Sequence, residues 1–562
     1  MGRKLFVQEI ETYEKGTKGI NMSKDTDINM EAKRKVRHSL RKSGWIQKPY
    51  QKYFLIIFLL AVALRLFLIG NVPGNTAINQ DEAYAGYDAW SLLHYGMDSW
   101  GYRMPVYMTT WGSGMSALQT YLMIPFVAVL GLTPLAIRLP QAIWGILSVL
   151  AAYCLGNEIR GKKFALTLMA FLAIVPWHVM ISRWAYDCNY LPGCILFAML
   201  FLVKGSRKPY YLLLSGFFFG LSLYAYAASW IVVPFLILFS VLILQKRNHL
   251  GHTWELWAFF LIIFVMAIPL VLFVFVNMGY IPEIRTPFLS IPKMPTFRSG
   301  DYTLNPKECI QDLYNTLLML IRQEDSRRLN TIPDLGIYYK ISIIPFGIGI
   351  IRYCYERFGK KNKEWGFDSL FLLQLLLGLA LGALLKEPLI HRINIIHFPI
   401  IYFIAVGIYT LIEYYGRPGK YGATIVYGVA LMMFCMNYFV SYDNVIAGIN
   451  HDGIRQAVEF IDETPHDTVY VLGSGRTTDI NFIHFVFWEK IPTDAFVRTI
   501  QRRDNQIRFQ GYEVDFSDYH DAPITSGNLY VCEHSNEDAL EYMRGLGMTL
   551  YYFDNVTVGI PR

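Results

Sequence analysis

Apolar runs long enough to cross a bilayer recur through most of this 562-residue chain. A crossing helix needs about 17–25 such residues. Candidate runs fall near 53–70, 134–155, 164–182, 190–204, 210–227, 230–245, 254–276, 336–352, 367–385, 393–412 and 422–441. A helix that is apolar on every side must be buried in protein or lipid, and eleven of them exceed what one soluble core holds. Charge agrees: Asp, Glu, Lys and Arg make up 17% of the chain, against about a quarter in an ordinary soluble protein. The expected fold class is therefore an α-helical polytopic membrane protein with about 11 transmembrane helices.

The loops set the direction of crossing. Residues 1–52 form a polar tail, with eight Lys or Arg and no acid between Ala32 and Lys52. Such a tail stays in the cytoplasm and holds the first span in place. Further basic clusters lie at Arg160/Lys162/Lys163, Lys204/Arg207/Lys208, Lys246/Arg247, Arg352 to Lys363 and Arg417/Lys420. With eleven spans all five fall inside, giving an N-in, C-out chain. If 115–131 also crossed, all five would fall outside. That segment therefore reads as a helix lying on or dipping into the outer face. The net charge of +7 is accounted for by the tail and these loops, so no nucleic-acid partner is expected. The seven cysteines lack CxxC or metal-ligand spacing and imply no thiol chemistry.

The membrane domain is thus expected over 53–441, with a first outer loop at 71–133 and a long outer loop at 277–335. Residues 442–562 follow as an outer domain. There TVYVLG and NLYVCE read as strands, and GIRQAVEFIDE and EDALEYMRGLG as helices, the pattern of a small α/β unit. Its Gly473-Ser474-Gly475 lacks the third glycine of a dinucleotide fingerprint and reads as a turn.

The ionisable residues near the spans gather at their outer ends, where a buried charge usually marks function. Asp81 and Glu82 stand in INQDEAYAGYDAW, just after the first span. Arg138 opens the second span in IRLP. His178, Arg183 and Asp187 lie in PWHVMISRWAYDCN, and His391 and Arg392 in LIHRIN. Arg103 precedes Pro105 in the first loop, Tyr84 follows the acidic pair, and Arg65 lies within the first span. Arginine and histidine suit an anionic leaving group, and a carboxylate suits the acceptor's proton. Asp81 is the expected base, and it also stands where a helix N-cap would. Plain structural roles are open to the others: interfacial snorkelling for Arg138, an Arg183–Asp187 ion pair, an interface histidine at His178.

The order of these motifs resembles the GT-C membrane glycosyltransferases, in particular bacterial relatives of the protein O-mannosyltransferases and of the lipid A aminoarabinose transferases. The likeness rests on Asp-Glu after the first span, a surface helix, RLP, Pro-Trp-His and Ser-Arg-x-x-x-Asp, and is strongest over about 53–230. It implies a GT-C fold and a sugar donor on polyprenyl phosphate. It also implies Asp81, Glu82 and Asp187 at the reaction centre. Arg138, Arg183 and Arg392 would then be candidates for the lipid phosphate; His391, Tyr84, Arg103 and His178 are read from the residues themselves as further groups for the phosphate and sugar. Some members use a divalent cation, Mg or Mn; Asp81 or Glu82 would then be its ligand. The resemblance fits a bacterial plasma membrane, with chemistry on the extracytoplasmic face and an acceptor there that is a protein, a cell-wall polymer or a glycolipid. The alternative is a transporter or flippase of a polyprenyl-linked sugar, for which internal repeats and broken mid-membrane helices would be expected.

Overall fold

The computed structural model describes residues 48–110, 112–297, 299–332, 334–359, 366–473, 482–503, 506–515 and 522–562. The basic tail up to residue 47, part of the Arg352–Lys363 cluster and Ser474-Gly475 lie outside the described residues.

Each apolar run is helical. The first is α1, Lys48–Leu66. The first loop carries α2, Gln80–Tyr95, and α3, Leu118–Leu130. Then come α4, Pro134–Arg160; α5, Lys162–Ile174; α6, Pro176–Ile181; and α7, Leu191–Gly205. They are followed by α8, Tyr211–Ser222; α9, Ser229–Gln245; and α10, Trp254–Asn277. The second long loop holds α11, Pro306–Arg322. The bundle closes with α12, Ile343–Cys354; α13, Asp368–Leu384; α14, His397–Tyr415; and α15, Arg417–Met436. Among the described residues five helical segments are long and apolar enough to cross a membrane: Pro134–Arg160, Asp187–Gly205, Trp254–Asn277, Asn394–Tyr415 and Arg417–Ile449.

Several helices are shorter than their apolar runs. The third run breaks at Val175, which is extended (ψ 129°) before Pro176, because a residue preceding proline is driven out of the helical region. The eighth begins only at Ile343, after Tyr339 takes a positive φ of 62°. Helices α12 and α14 touch backbone to backbone. A Cβ on Gly349 would strike the Phe403 carbonyl, and one on Gly407 the Pro345 carbonyl, the small-residue contact that lets apolar helices approach closely.

The C-terminal unit follows α16, Tyr442–Ile449. It is a mixed sheet with α17, Ile454–Glu463; α18, Ile483–Glu489; α19, Thr493–Thr499; and α20, Glu537–Gly545 around it. Its central strand, Thr468–Leu472, runs parallel to Tyr512–Asp515 on one side and to Asn528–Glu533 on the other. The remaining pairings, out to Gln501–Arg503 and Thr549–Phe553, are antiparallel. The two expected strands and two expected helices are all present.

This unit shares one apolar core with the first loop: Ala83, Tyr84 and Tyr87 of α2 join Ile137 of α4 and Phe482, Phe487 and Phe496 of the sheet unit. Helix α2 is enclosed between them. A Cβ on Gly86 would lie 2.8 Å from Ile137 Cγ2 and 2.9 Å from Phe487 Cε2, so only glycine fits both neighbours there. The Tyr87 hydroxyl donates to the Ile491 carbonyl at 2.7 Å.

Candidate active site

Helix α2 begins with a capping box. The Asn79 side chain accepts from the Asp81 N–H at 3.0 Å, while Glu82 accepts from the Asn79 N–H at 3.2 Å. The cap is thus Asn79, and Asp81 is the second helical residue rather than the N-cap its position suggested. A capping box satisfies helix-end N–H groups reciprocally and fixes the first turn. Asp81 is left half-buried at a helix N-terminus, where the backbone dipole favours negative charge.

Asp81 opens onto a cavity of about 370 Å³, within the usual size range of small-molecule sites. Asn79, Gln80, Tyr186, Asp187, Tyr226, Arg327, Asn330, His391 and Arg392 also line it. Asp187 accepts from the Ser116 N–H at 2.9 Å and from its neighbour Cys188 N–H at 2.7 Å. Asn394 ties its turn to the one bearing Arg392: its Nδ2 donates to Cys188 O at 3.1 Å and approaches Asn189 Oδ1 at 3.3 Å. On the other wall Asn330 Nδ2 donates to His391 Nδ1 at 3.0 Å. Burial, then the nearby Arg392 and Arg327, push the His391 imidazole down to about 4. Burial, then Asp81 and Glu82, push the Tyr186 phenol well up.

Four of the ten expected site residues therefore meet in one cavity: Asp81, Asp187, His391 and Arg392. The other six do not line it. Glu82 and Arg138 form a fully buried pair (Nε–Oε1 2.8 Å, Nη2–Oε2 2.7 Å), and Arg138 also donates to the Pro73 and Ala77 carbonyls. Glu82 further accepts from the Ala185 N–H at 3.1 Å. Arg183 does not meet the sequence expectation of an ion pair with Asp187; its guanidinium goes to the Leu64, Arg65, Phe67 and Val72 carbonyls at 2.8–3.1 Å. His178 Nδ1 lies 2.6 Å from Arg65 Nη2, which also donates to the Leu172 carbonyl. Tyr84 packs edge-on to Phe482, and Arg103 is exposed. The physical reason is common to two of them, Arg138 and Arg183. A chain leaving helix α1 exposes carbonyls that have no intrahelical partner, and buried carbonyls need donors. Arg138 and Arg183 meet that need at carbonyls between residues 64 and 77 and so hold the scaffold beneath Asp81, while Arg65 donates to the Leu172 and Ala173 carbonyls at the end of α5.

Tyr226, Arg327 and Asn330 reach the cavity without having been singled out individually from sequence. Arg327 lies beside other charges in the long loop, and nothing in its local pattern separates it from its neighbour Arg328. The donor set for a divalent cation is thin: Glu82 is committed to Arg138, leaving Asp81 and Asp187 as the carboxylates on the lining. Among the described residues no group of three or more His, Cys, Asp or Glu is placed to hold a metal.

Residues 117–273 match the family model described as dolichyl-phosphate-mannose-protein mannosyltransferase. The matched segment runs from the start of α3 into α10 and contains Asp187 and Tyr226. Over 90% of this chain and 97% of the other, the structure superposes on ArnT from Cupriavidus metallidurans bound to undecaprenyl phosphate, with a TM-score of 0.57 and 11% identity. The apo form of the same protein gives 0.54 over the same shares, also at 11% identity. The chain shares the GT-C fold of these structures over most of its length. The archaeal oligosaccharyltransferase AglB from Archaeoglobus fulgidus, in complex with an inhibitory peptide and a dolichol-phosphate, is a more distant likeness. The present chain aligns with it over 89% of its own length and 71% of the other, at 12% identity and a TM-score of 0.47. No curated protein sequence matches the chain. The expected fold, an apolar helical bundle with a C-terminal sheet unit, is the observed GT-C architecture.

Proposed function

We propose that the cavity is the transfer site of an inverting glycosyltransferase that moves a sugar from a polyprenyl-phosphate donor to an extracytoplasmic acceptor in a bacterial plasma membrane. The observation that carries this reading is the lining: two carboxylates, Asp81 and Asp187, and two guanidinium groups, Arg327 and Arg392, surround one space from four separate chain segments. The guanidinium groups match a phosphate, which they bind through paired N–H donors. Asp81, fixed at the N-terminus of α2, takes the acceptor hydroxyl's proton as that oxygen bonds to the sugar's anomeric carbon. The carbon–oxygen bond to phosphate breaks on the opposite face, and the polyprenyl phosphate leaves as an anion against Arg327 and Arg392. Asp187, tied to Ser116, faces the same space and holds sugar hydroxyls or the acceptor. The ArnT relative bound to undecaprenyl phosphate supports a polyprenyl donor. The short basic loops at 160–163 and 204–208 support a cytoplasmic position for the ends of α4 and α7 remote from Asp81.

The test is Asp81→Asn, which keeps the side chain's size and removes its basicity. Transfer from a radiolabelled polyprenyl-phosphate sugar should fall by about 10²–10⁴-fold, the usual contribution of a general base, with the thermal midpoint in detergent unchanged. Near-normal turnover by a folded Asp81→Asn protein would remove the mechanism.

A further inference from the structure

The two candidate phosphate-binding arginines come from segments 65 residues apart, and a single carboxylate joins those segments. Asp325 follows α11 closely. Its Oδ1 accepts from the Arg327 N–H at 2.9 Å. Its Oδ2 accepts from Asn330 Nδ2 at 2.7 Å and from the Ile390 N–H at 2.9 Å. Asn330 in turn donates to His391. The turn is also held from behind: His397 Nε2 lies 2.8 Å from the Ile390 carbonyl, and His397 Nδ1 meets the Tyr338 hydroxyl. The Tyr338 N–H donates to Gln323 Oε1 at 3.0 Å, and Gln323 is the residue that ends α11. The segment carrying Arg327 and the turn carrying His391 and Arg392 are thereby locked together through Asp325 and Gln323.

We infer that Asp325 is a positioning residue for anion recognition: it fixes Arg327 and Arg392 at one mutual spacing and does not itself touch the ligand. This rests on the reading of the cavity as a lipid-phosphate site. A carboxylate beside such a site disfavours an anion by simple electrostatics. If Asp325 acted only through its charge, neutralising it would tighten binding of the phosphate. If it acts by holding two segments together, neutralising it loosens binding, because an amide cannot accept all three N–H donors.

The probes are undecaprenyl phosphate and undecaprenol, which share the prenyl chain and differ in the anion. Their dissociation constants are measured for the full-length protein in detergent and for Asp325→Asn, Asp325→Glu and Arg392→Gln. Asp325→Asn is expected to weaken undecaprenyl phosphate about tenfold and leave undecaprenol within twofold. Asp325→Glu keeps the charge but moves the acceptors by a methylene, and should weaken the phosphate lipid in the same sense. Unchanged or tighter phosphate binding by Asp325→Asn overturns the inference. So does loss of both lipids together in both Asp325 variants, which would mark a role in folding alone. Arg392→Gln separates this failure from that of the site reading: if it keeps the full preference for phosphate over alcohol, the cavity is not the lipid-phosphate site. If that preference falls in Arg392→Gln but not in the Asp325 variants, only the positioning role fails.

Discussion

At the scale of single residues, the sequence exposed which charges matter to the fold more readily than which ones face a ligand. Arg138, Arg183 and His178 stand out because ionisable groups next to apolar spans are costly. The cost is real, but here it is met by backbone carbonyls and Glu82 for the two arginines and by Arg65 for His178. Nothing in the local pattern distinguishes an arginine that caps a helix end from one that meets a phosphate; both need a buried anion or carbonyl within reach. That Asp81, Asp187 and Arg392 share one cavity was legible because order and topology placed them at one end of the bundle. His391 was legible as a position but not as a charge. Its imidazole sits at about 4, lowered by burial and then by Arg392 and Arg327, so it is neutral across the physiological range. The unfolded chain takes up that proton near pH 6.5 and the folded chain only near pH 4. The stability contributed by neutral His391 is therefore complete above about 6.5 and is lost as pH falls toward 4. His391→Gln should accordingly keep donor affinity at pH 7 within about threefold. Arg392→Gln, losing a charge-assisted bond of about 1.5–3 kcal/mol, should weaken it roughly 10–100-fold. Donor KM measured for both variants at pH 7 checks this; equal losses would mean that His391 binds the phosphate as a cation.

At the scale of elements, the helical runs were visible from hydropathy and their ends were not. Periodicity reports which faces are apolar, whereas the break at Val175-Pro176 and the late start of α12 depend on backbone angles. The same holds for α2. The sequence marks it as a helix beginning near the acidic pair, yet the division of labour within that pair is set by tertiary partners. Glu82 turns inward to Arg138 and the Ala185 N–H, and Asp81 turns to the cavity. This predicts opposite phenotypes for two adjacent carboxyls. Glu82→Gln leaves Arg138 buried without its counter-charge, and breaking such a pair costs about 3–5 kcal/mol. The variant should melt well below the wild type in detergent and lose activity together with fold, whereas Asp81→Asn should lose activity alone. Paired melting and transfer measurements decide the matter: a Glu82→Gln protein with a normal midpoint and no turnover would move Glu82 into the chemistry.

At the scale of the whole molecule, the C-terminal unit could be read from the sequence as a small α/β fold, but not its relation to the first loop. That relation depends on matching shapes far apart in sequence, which no local pattern encodes. Phe487 and Ile137 close on Gly86 from two sides, and Tyr87 reaches Ile491. The segment just before α2 is fastened in the same way, since Asp443 accepts from the Gly74 N–H and Asn75 donates to Asp452. The sheet unit is thus the outer wall that keeps the Asp81 helix against α4. Emptying part of that wall should reach the chemistry from a distance. Phe487→Ala removes a buried ring of the kind that costs about 3–5 kcal/mol and leaves α2 free to shift away from Ile137. A misplacement of about 1 Å can cost on the order of 10²-fold in rate, so kcat should drop by more than tenfold while undecaprenyl phosphate binding, which the proposed site assigns to Arg327 and Arg392, changes little. Steady-state transfer measured below the variant's lowered melting temperature, beside lipid binding, tests the coupling. A normal kcat with only reduced stability would show that the sheet unit supports the fold without holding the base in place.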